Sequence, residues 1–236
     1  NLSSIFSKNG YKTLIIDLDP QGNVSTYLNF DKNTNEVTNS MQLLDGITEL
    51  KPGELTENLS IVPSNKEIAR YNQEKIIGGS KIRKLKQNGV FSNYDFIFID
   101  TPPTMSSLVQ EGIATSDYYL IPTKPEFLAV EGVAQAMNFA KTTLKNIPNI
   151  NTVFLGVLLN QVEVKRSSYG EFLNELEYLL GDRLFESKIS HLTEIADSPF
   201  YGKTVIDFND ESKAKIEFNK LAEEIIEKVR GNEKIS

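Results

Sequence analysis

The sequence contains no cysteine in its 236 residues. This absence excludes structural disulfides, thiolate zinc sites, cysteine-ligated iron–sulfur clusters and a cysteine nucleophile. The only histidine is His191, and no base-and-nucleophile arrangement is visible around it. We therefore expect His191 to be a structural or surface residue, and the lack of cysteine is compatible with a reducing cytoplasm.

Long hydrophobic runs and an excess of positive charge are also missing. No apolar stretch approaches the roughly 20 residues of a membrane-spanning helix and no charged-then-apolar leader opens the sequence, so we expect a soluble, unexported, cytoplasmic protein. The formal net charge of −7 disfavours nucleic-acid binding by the whole surface and requires a local basic patch for any such role. With 39% hydrophobic residues the chain can bury a full core, and we predict a single domain over residues 1–236.

The residues that are present alternate between strand-like apolar runs and helix-like segments. This alternation is typical of βαβ units, so we predict an α/β fold in which a mainly parallel, twisted sheet carries helices on both faces. The segment 31–58 is rich in Asn, Thr and Glu and predicts an irregular excursion with one short helix at 40–44. We predict strands at 12–17, 59–63, 94–100, 117–123 and 153–159, and longer helices at 108–114, 129–145, 168–180 and 210–229.

Three of the predicted strands end in polar residues. The segment TLIIDLDPQGN places Asp17 and Asp19 at the end of a buried strand. YDFIFIDTPP places Asp100 before two prolines, and VFLGVLLN ends in Asn160. Each ending alone is typical of an ordinary turn. Because ligands bind outside the carboxyl ends of the strands in such sheets, the three together predict a functional site at that edge.

Asp100 suits a metal ion for a physical reason. A lone carboxylate at the end of an apolar strand is costly unless a cation neutralises it. Mg²⁺ is usually held by few protein carboxylates, and phosphate and water complete its coordination shell. Asp100 therefore suits a nucleotide-bound Mg²⁺. Pro102 and Pro103 restrict the backbone that follows, which favours a rigid loop able to sense a terminal phosphate.

Several motifs together resemble the ParA class of P-loop partition ATPases, which also includes MinD-like proteins. They are IIDLDPQGN, LSIVPSNKEIA, YDFIFIDTPP, LIPTKPEFLAVEGV and DESKAKIEFNKLAEEI, in that order and across nearly the whole chain. The DLDPQGN element is fairly specific to that class, whereas IDTPP is shared with several P-loop relatives. The resemblance implies a P-loop NTPase-like fold that uses ATP and Mg²⁺.

The resemblance also implies roles for individual residues. Asp19 would support hydrolysis by orienting the attacking water, and Asp17 would lie beside it near the phosphates and the metal. Asp100 would take the Walker B position and act on Mg²⁺ directly or through water, and Thr101, Pro102 and Pro103 would belong to a switch that senses the γ-phosphate. Asn160 would lie near the adenine, although a helix-capping or turn role is an equal alternative.

The partners follow from the same resemblance. ParA-class ATPases form ATP-bound homodimers that bind duplex DNA non-specifically, and a ParB-like centromere-binding protein stimulates their hydrolysis. The cycle positions plasmid or chromosome cargo, which implies a nucleoid-associated protein in the cytoplasm. The basic residues 81–86 are either a further DNA-binding patch or a solvated helix face. The candidate DNA-binding residues are Lys165, Arg166 and Lys213.

The sequence departs from the family at its beginning. The family's phosphate loop, of the form GGxGKT with a further lysine ahead of it, would lie immediately before Asn1, together with the first strand of the sheet. We expect an N-terminal truncation rather than a degenerate homologue. Without this loop there is no backbone cradle for phosphates, so we expect the chain as printed to bind ATP poorly and to hydrolyse it hardly at all.

Two alternatives stay open. A MinD-like membrane-associated ATPase needs a basic amphipathic C-terminal helix, but Glu223, Glu224 and Glu227 oppose anionic lipid, so we expect the apolar stripe of that helix to pack on the core. A degenerate member of the family would be a non-hydrolysing binding module for a partner protein.

Overall fold

The computed structural model describes residues 1–73, 80–126, 128–164, 169–207 and 212–233. Its strands are β1 (Thr13–Asp17), β2 (Gly53–Thr56), β3 (Leu59–Val62), β4 (Phe96–Asp100), β5 (Tyr118–Thr123), β6 (Val153–Val162) and β7 (Leu184–Ser190). Its α-helices are α1 (Leu2–Lys8), α2 (Asn23–Tyr27), α3 (Ser40–Asp45), α4 (Lys81–Gln87), α5 (Ser107–Thr115), α6 (Ala129–Asn146), α7 (Tyr169–Leu180), α8 (Thr193–Asp197) and α9 (Lys213–Glu233). Short 3-10 helices cover Lys66–Gln73, Gly181–Arg183, Ser198–Tyr201 and Val205–Asp207.

The first sheet has the strand order β2-β3-β1-β4. β1 pairs in parallel with both β3 and β4, so the carboxyl ends of these three strands lie at one edge of the sheet. All five residues of β1 are buried, as its unbroken apolar run predicts. Only β2 runs antiparallel, as the first arm of a hairpin with β3.

The second sheet, β5-β6-β7, is wholly parallel, and no strand pairing among the described residues joins it to β4. Most residues of β4 and β5 are only half-buried, unlike those of β1. Phe98 of β4 and Leu120 of β5 nevertheless pack against one apolar cluster that contains Phe6 of α1. The predicted α/β fold with a mainly parallel sheet is confirmed, and the sheet is divided in two between β4 and β5.

Helix α9 packs on the outer strand of the second sheet. Leu221 and Ile225 are buried, so the predicted packing of the apolar stripe on the core is confirmed. Glu224 accepts hydrogen bonds from the backbone N–H groups of Glu186 (3.0 Å) and Ser187 (2.8 Å), and Glu217 accepts from Ser190 N (2.7 Å). These carboxylates satisfy edge donors of β7. Within the described residues, no helix has the length and apolar character needed to cross a membrane.

Two strands were missing from the sequence prediction. β2 falls in the excursion 31–58, where only the short helix, observed as α3, was expected. β7 buries just two apolar side chains, Phe185 and Ile189, and its intervening residues are polar or charged because it is an edge strand. Neither segment has the continuous apolar run that identified β1 and β4. The predicted starts of α7 and α9, at 168 and 210, lie outside the described residues.

Candidate active site

The two strongest motifs of the sequence meet at one edge of the first sheet. Asp17 and Asp100 are the last residues of β1 and β4 and are direct partners in the parallel pairing. The backbone N–H of Leu18 donates to the carbonyl oxygen of Asp100 at 2.8 Å, which continues the contact beyond the strand ends. Asp19 lies close enough for its charge to act on both other carboxyl groups. The structure thus brings together the three acids that the sequence singled out.

Asp17 is fully buried at this edge. Its Oδ1 accepts a hydrogen bond from Asp19 N at 2.9 Å, whereas its Oδ2 has no hydrogen-bond partner among the described residues. Burial raises the pKa of Asp17 to about 7; the backbone N–H groups of Asp19 and Val24 oppose this shift, and the charges of Asp100 and Asp19 add to it. A cation or a proton donor at Oδ2 would therefore stabilise the ionised form.

Asp19 is held in a tight turn. Its Oδ1 accepts from Gln21 N at 2.9 Å, and its carbonyl oxygen accepts from Gly22 N at 2.9 Å. Gly22 has φ +61°, and a Cβ there would lie 2.3 Å from the carbonyl oxygen of Ser64. Only glycine fits a position that combines this conformation with such a close backbone approach. The turn therefore gives the half-buried Asp19 a defined orientation.

Asp100 is the most accessible of the three acids. Partial burial, followed by the charge of Asp19, raises the pKa of Asp100 to about 6. Because a nearby carboxylate disfavours the ionised form of Asp100, a cation at this position would stabilise that form. Asp100 also lies at the start of the loop that leads to α5, so a ligand held there would contact that loop.

The loop after Asp100 packs partly against the rest of the protein. Pro102 is buried, whereas Pro103 is exposed. The methyl group of Thr101 lies 2.9 Å from the position that a Cβ on Gly112 would take, so Thr101 packs against α5. This contact connects the loop to the helix that follows it. A contact of Thr101 with a phosphate stays a prediction.

Asn160 lies in the second sheet, near the carboxyl end of β6. Its side-chain Oδ1 accepts a hydrogen bond from the backbone N–H of Gln161 at 3.0 Å. Gln161 has φ +54°, a left-handed conformation that few residues adopt without such local support. The contact supports the left-handed backbone of Gln161 inside β6, and both alternatives for Asn160, a role near adenine and a capping or turn role, stay predictions.

The candidate DNA-binding residues are only partly described. Lys165 and Arg166 lie outside the described residues. Lys213 opens α9 with its side chain 63% exposed, and its ammonium lies 3.6 Å from Glu217 Oε1. Glu217 is largely buried and also binds Ser190, and Lys213 is the exposed partner of this long contact, so a contact of Lys213 with DNA stays a prediction.

The basic helix α4 is partly committed to contacts within the protein. Lys86 pairs with Asp117 at 2.6 Å, and Arg83 donates to the carbonyl oxygen of Asn149. Lys81 and Lys84 are the other cations of this helix. Two of the four cations of α4 therefore contact neighbouring segments, so this helix is not entirely a solvated basic face. A contact of α4 with DNA stays a prediction.

A buried acid connects α4 to the helix after Asp100 and was not singled out from the sequence. Glu111 of α5 is fully buried and accepts hydrogen bonds from Ser80 Oγ (2.7 Å) and Ile82 N (2.6 Å) at the start of α4. Burial raises the pKa of Glu111, and these hydrogen bonds oppose the shift. No local pattern marks Glu111, since its partners lie about 30 residues earlier in the chain. Lys32, beside Gly22, was missed in the same way.

Comparison with known proteins agrees with this arrangement. A family model described as an AAA domain matches residues 1–153. The sporulation initiation inhibitor protein Soj of Bacillus subtilis strain 168 is 27% identical over 229 residues, which cover 95% of this chain and 90% of that protein. The chromosome-partitioning ATPase Soj of Thermus thermophilus is 24% identical over 238 residues, or 98% of this chain and 89% of that protein.

Solved structures show the same fold. A plasmid partition protein from Borrelia burgdorferi B31, bound to AMPPNP, superposes with a TM-score of 0.75 at 21% identity, covering 96% of this chain and 90% of that one. Cobyrinic acid a,c-diamide synthase from Mycobacterium smegmatis, with bound ADP and magnesium, gives a TM-score of 0.79 at 18% identity, covering 98% and 88%.

The divided parallel sheet, with acids at the ends of β1 and β4, is the architecture of a P-loop NTPase-like protein. The match over residues 1–153 and the partition-protein relatives then make the assignment specific. The chain belongs to the AAA domain family and, within it, to the ParA class of P-loop ATPases.

Proposed function

We propose that the full-length gene product is a partition ATPase that hydrolyses ATP to ADP and phosphate at the acidic edge of β1 and β4. The observation that carries the proposal is the convergence of Asp17, Asp19 and Asp100 at the ends of two paired strands. The ligands in the solved structures of similar proteins, AMPPNP in one and ADP with magnesium in another, support ATP and Mg²⁺ as the ligands here.

Mg²⁺ fits the donors at this edge. Asp17 Oδ2 is buried without a hydrogen-bond partner among the described residues, and Asp100 is accessible, so a cation would stabilise both carboxylates. Among these residues no group of three His, Cys, Asp or Glu could hold a metal ion, so phosphate and water would have to supply most of the coordination of a bound Mg²⁺. We assign Asp100 to holding Mg²⁺ directly or through water. When bound, the ion would neutralise charge on the phosphates.

The other residues have positions that suit separate tasks. We assign Asp19 to orienting the attacking water, because the turn 19–22 fixes a half-buried carboxylate beside Asp100. Asp17 would lie beside Asp19, near the metal and the phosphates. Thr101 and Pro102 begin the loop that leads to α5 and would respond to the terminal phosphate.

We further propose that two ATP-bound copies form a homodimer that binds duplex DNA non-specifically. Because the net charge is −7, the contacts must come from local basic groups, for which Lys165, Arg166 and Lys213 are the candidates. A ParB-like centromere-binding protein would stimulate hydrolysis, and the cycle would position plasmid or chromosome cargo on the nucleoid. The similarity to chromosome-partitioning and plasmid partition proteins supports this assignment.

The test is the ATPase rate and the DNA binding of the full-length gene product, measured beside its Asp19→Ala variant. We expect slow, Mg²⁺-dependent phosphate release from the wild type. Asp19→Ala should retain binding of ATP and of duplex DNA and lose turnover by about 10²-fold or more, since a positioned catalytic group contributes typically 10²–10⁴-fold. DNA binding by both proteins should weaken steeply with salt.

A matched control is Asp182→Asn, which changes an exposed acid outside the acidic edge. This variant should hydrolyse ATP at the wild-type rate. If the wild type neither binds nor hydrolyses ATP, the proposal is wrong and a non-hydrolysing binding module takes its place. If Asp19→Ala hydrolyses as fast as the wild type, the role assigned to Asp19 is wrong.

A further inference from the structure

Lys32 belongs to none of the motifs, yet its ammonium group is bound to the turn that carries Asp19. Lys32 Nζ donates to the carbonyl oxygen of Gln21 at 2.7 Å, to the carbonyl oxygen of Gly22 at 3.3 Å and to Thr26 Oγ1 at 3.2 Å. An ammonium group has three N–H donors, so these three acceptors account for its full capacity. Lys32 is therefore committed to this turn.

The contact with Gln21 extends to the carboxylate of Asp19. The N–H of Gln21 donates to Asp19 Oδ1 at 2.9 Å, and the carbonyl oxygen of Gln21 accepts from Lys32. The two peptide groups that flank the Cα of Gln21 are thus each held by a side chain. Rotation of this segment would break the hydrogen bond to Asp19 and the charge-assisted hydrogen bond to Lys32 together.

The side chain of Lys32 also closes one side of the turn. A Cβ on Gly22 would lie 2.8 Å from Lys32 Cδ and 2.3 Å from the carbonyl oxygen of Ser64. Gly22 is therefore enclosed between the aliphatic stem of Lys32 and the backbone after β3. Lys32 is half-buried as a residue, and its ammonium group makes its hydrogen bonds to Gln21 and Thr26 at an exposed position.

We propose that Lys32 is a positioning residue for ATP hydrolysis, because it fixes the turn 19–22 and thereby the orientation of the Asp19 carboxylate. This inference rests on the proposed function. Lys32 acts through the backbone of Gln21 and Gly22, and it need not contact nucleotide or metal.

The experiment compares Lys32→Met and Lys32→Arg in the full-length gene product. Methionine keeps a side chain of similar length without the charge and the donors, and arginine keeps both. Lys51→Met is the matched control, since Lys51 is an exposed lysine of the same excursion. The measurements are kcat and KM for ATP, and hydrogen exchange of the amides of residue 19 and residues 21–26, each with Mg²⁺ present.

We expect Lys32→Met to lower kcat about tenfold with KM changed less than about twofold, because a misplaced catalytic group costs up to about 10²-fold per Å. Amide exchange should rise at Gln21 and Gly22 and stay unchanged in the rest of β1. Lys32→Arg should recover part of kcat, and Lys51→Met should match the wild type in every measurement.

Three results would overturn the inference. An unchanged kcat in Lys32→Met would show that the contact does not serve hydrolysis. An equal loss of kcat and of ATP affinity, together with faster exchange throughout the first sheet, would show a merely structural role. Unchanged exchange at Gln21 and Gly22 would show that Lys32 does not fix the turn. This measurement does not depend on ATP hydrolysis, so it still tests whether Lys32 fixes the turn if the wild type hydrolyses no ATP and the proposed function fails.

Discussion

The carboxylates at the two sheets differ in whether the fold supplies their hydrogen-bond partners. At the ends of β1 and β4, Asp17 Oδ2 is buried with no hydrogen-bond partner among the described residues, and the pKa values of Asp17 and Asp100 are raised. At β7, by contrast, Glu217 and Glu224 of α9 accept hydrogen bonds from backbone N–H groups of the strand. Glu217 and Glu224, which join α9 to β7, have hydrogen-bond partners within the fold, whereas Asp17 has one carboxylate oxygen without a partner in the part of the chain that the structure describes, beside the accessible Asp100.

Replacing Asp17 by Asn should have the largest effect on how the free energy of unfolding depends on pH. Because burial raises the pKa of Asp17 from its ordinary value of 3.8 to about 7, the native state holds a proton more tightly than the unfolded state. This contribution is fully present below about pH 4 and is lost as the pH rises through about 7. Relative to the Asp17→Asn variant, the wild type should lose up to about 4 kcal/mol of unfolding free energy over that range.

The measurement is urea unfolding of both proteins between pH 4 and pH 8 in the absence of nucleotide. The exposed Asp182→Asn variant provides the control, and its difference from the wild type should be small at every pH. A constant difference between the wild type and Asp17→Asn across this range would contradict the raised pKa.

Replacing Glu224 by Gln should lower the free energy of unfolding. This effect is opposite in sign to the one expected for Asp17→Asn at neutral pH, and it should be smaller. Glu224→Gln keeps the shape of the side chain but removes the charge that accepts two backbone N–H groups of β7. We expect a loss of about 1–3 kcal/mol of unfolding free energy, since hydrogen bonds to charged groups contribute about this much. The exposed neighbour Glu223, changed to Gln, should cost less than about 0.5 kcal/mol. Equal effects of the two variants would mean that the edge contacts of Glu224 do not stabilise the fold.

The same contrast explains what the sequence could predict. β1 and β4 are unbroken apolar runs with acids directly at their ends, so both the strands and the meeting of Asp17 with Asp100 follow from the pattern of parallel sheets. β7 escaped prediction because three polar or charged residues separate its two buried apolar side chains, Phe185 and Ile189, so it shows neither an apolar run nor a regular alternation. Its partner carboxylates, Glu217 and Glu224 of α9, lie 27 to 38 residues later in the chain.

Contacts between residues that meet only because the chain folds back on itself could also not be predicted from the sequence. Lys32 reaches Gln21 only because the excursion after α2 turns back toward β1, and nothing in its neighbours indicates this. Glu111 likewise meets Ser80 through the packing of α5 on α4. Side chains that position other groups are defined by tertiary structure, whereas strand-end acids are defined by local pattern.

The most direct test of the acidic edge is proton release on binding of Mg²⁺–ADP to the full-length gene product. Calorimetric titrations at about pH 6.5, in two buffers of different ionisation enthalpy, give the number of protons released. Since burial holds the pKa of Asp17 at about 7 and that of Asp100 at about 6, both carboxyl groups are partly protonated at this pH, and a bound cation should displace those protons. We predict that protons are released when Mg²⁺–ADP binds to the wild type, and that fewer protons are released when it binds to the Asp17→Asn variant. Tight binding with no proton release would contradict the assignment of these acids to the metal and nucleotide site.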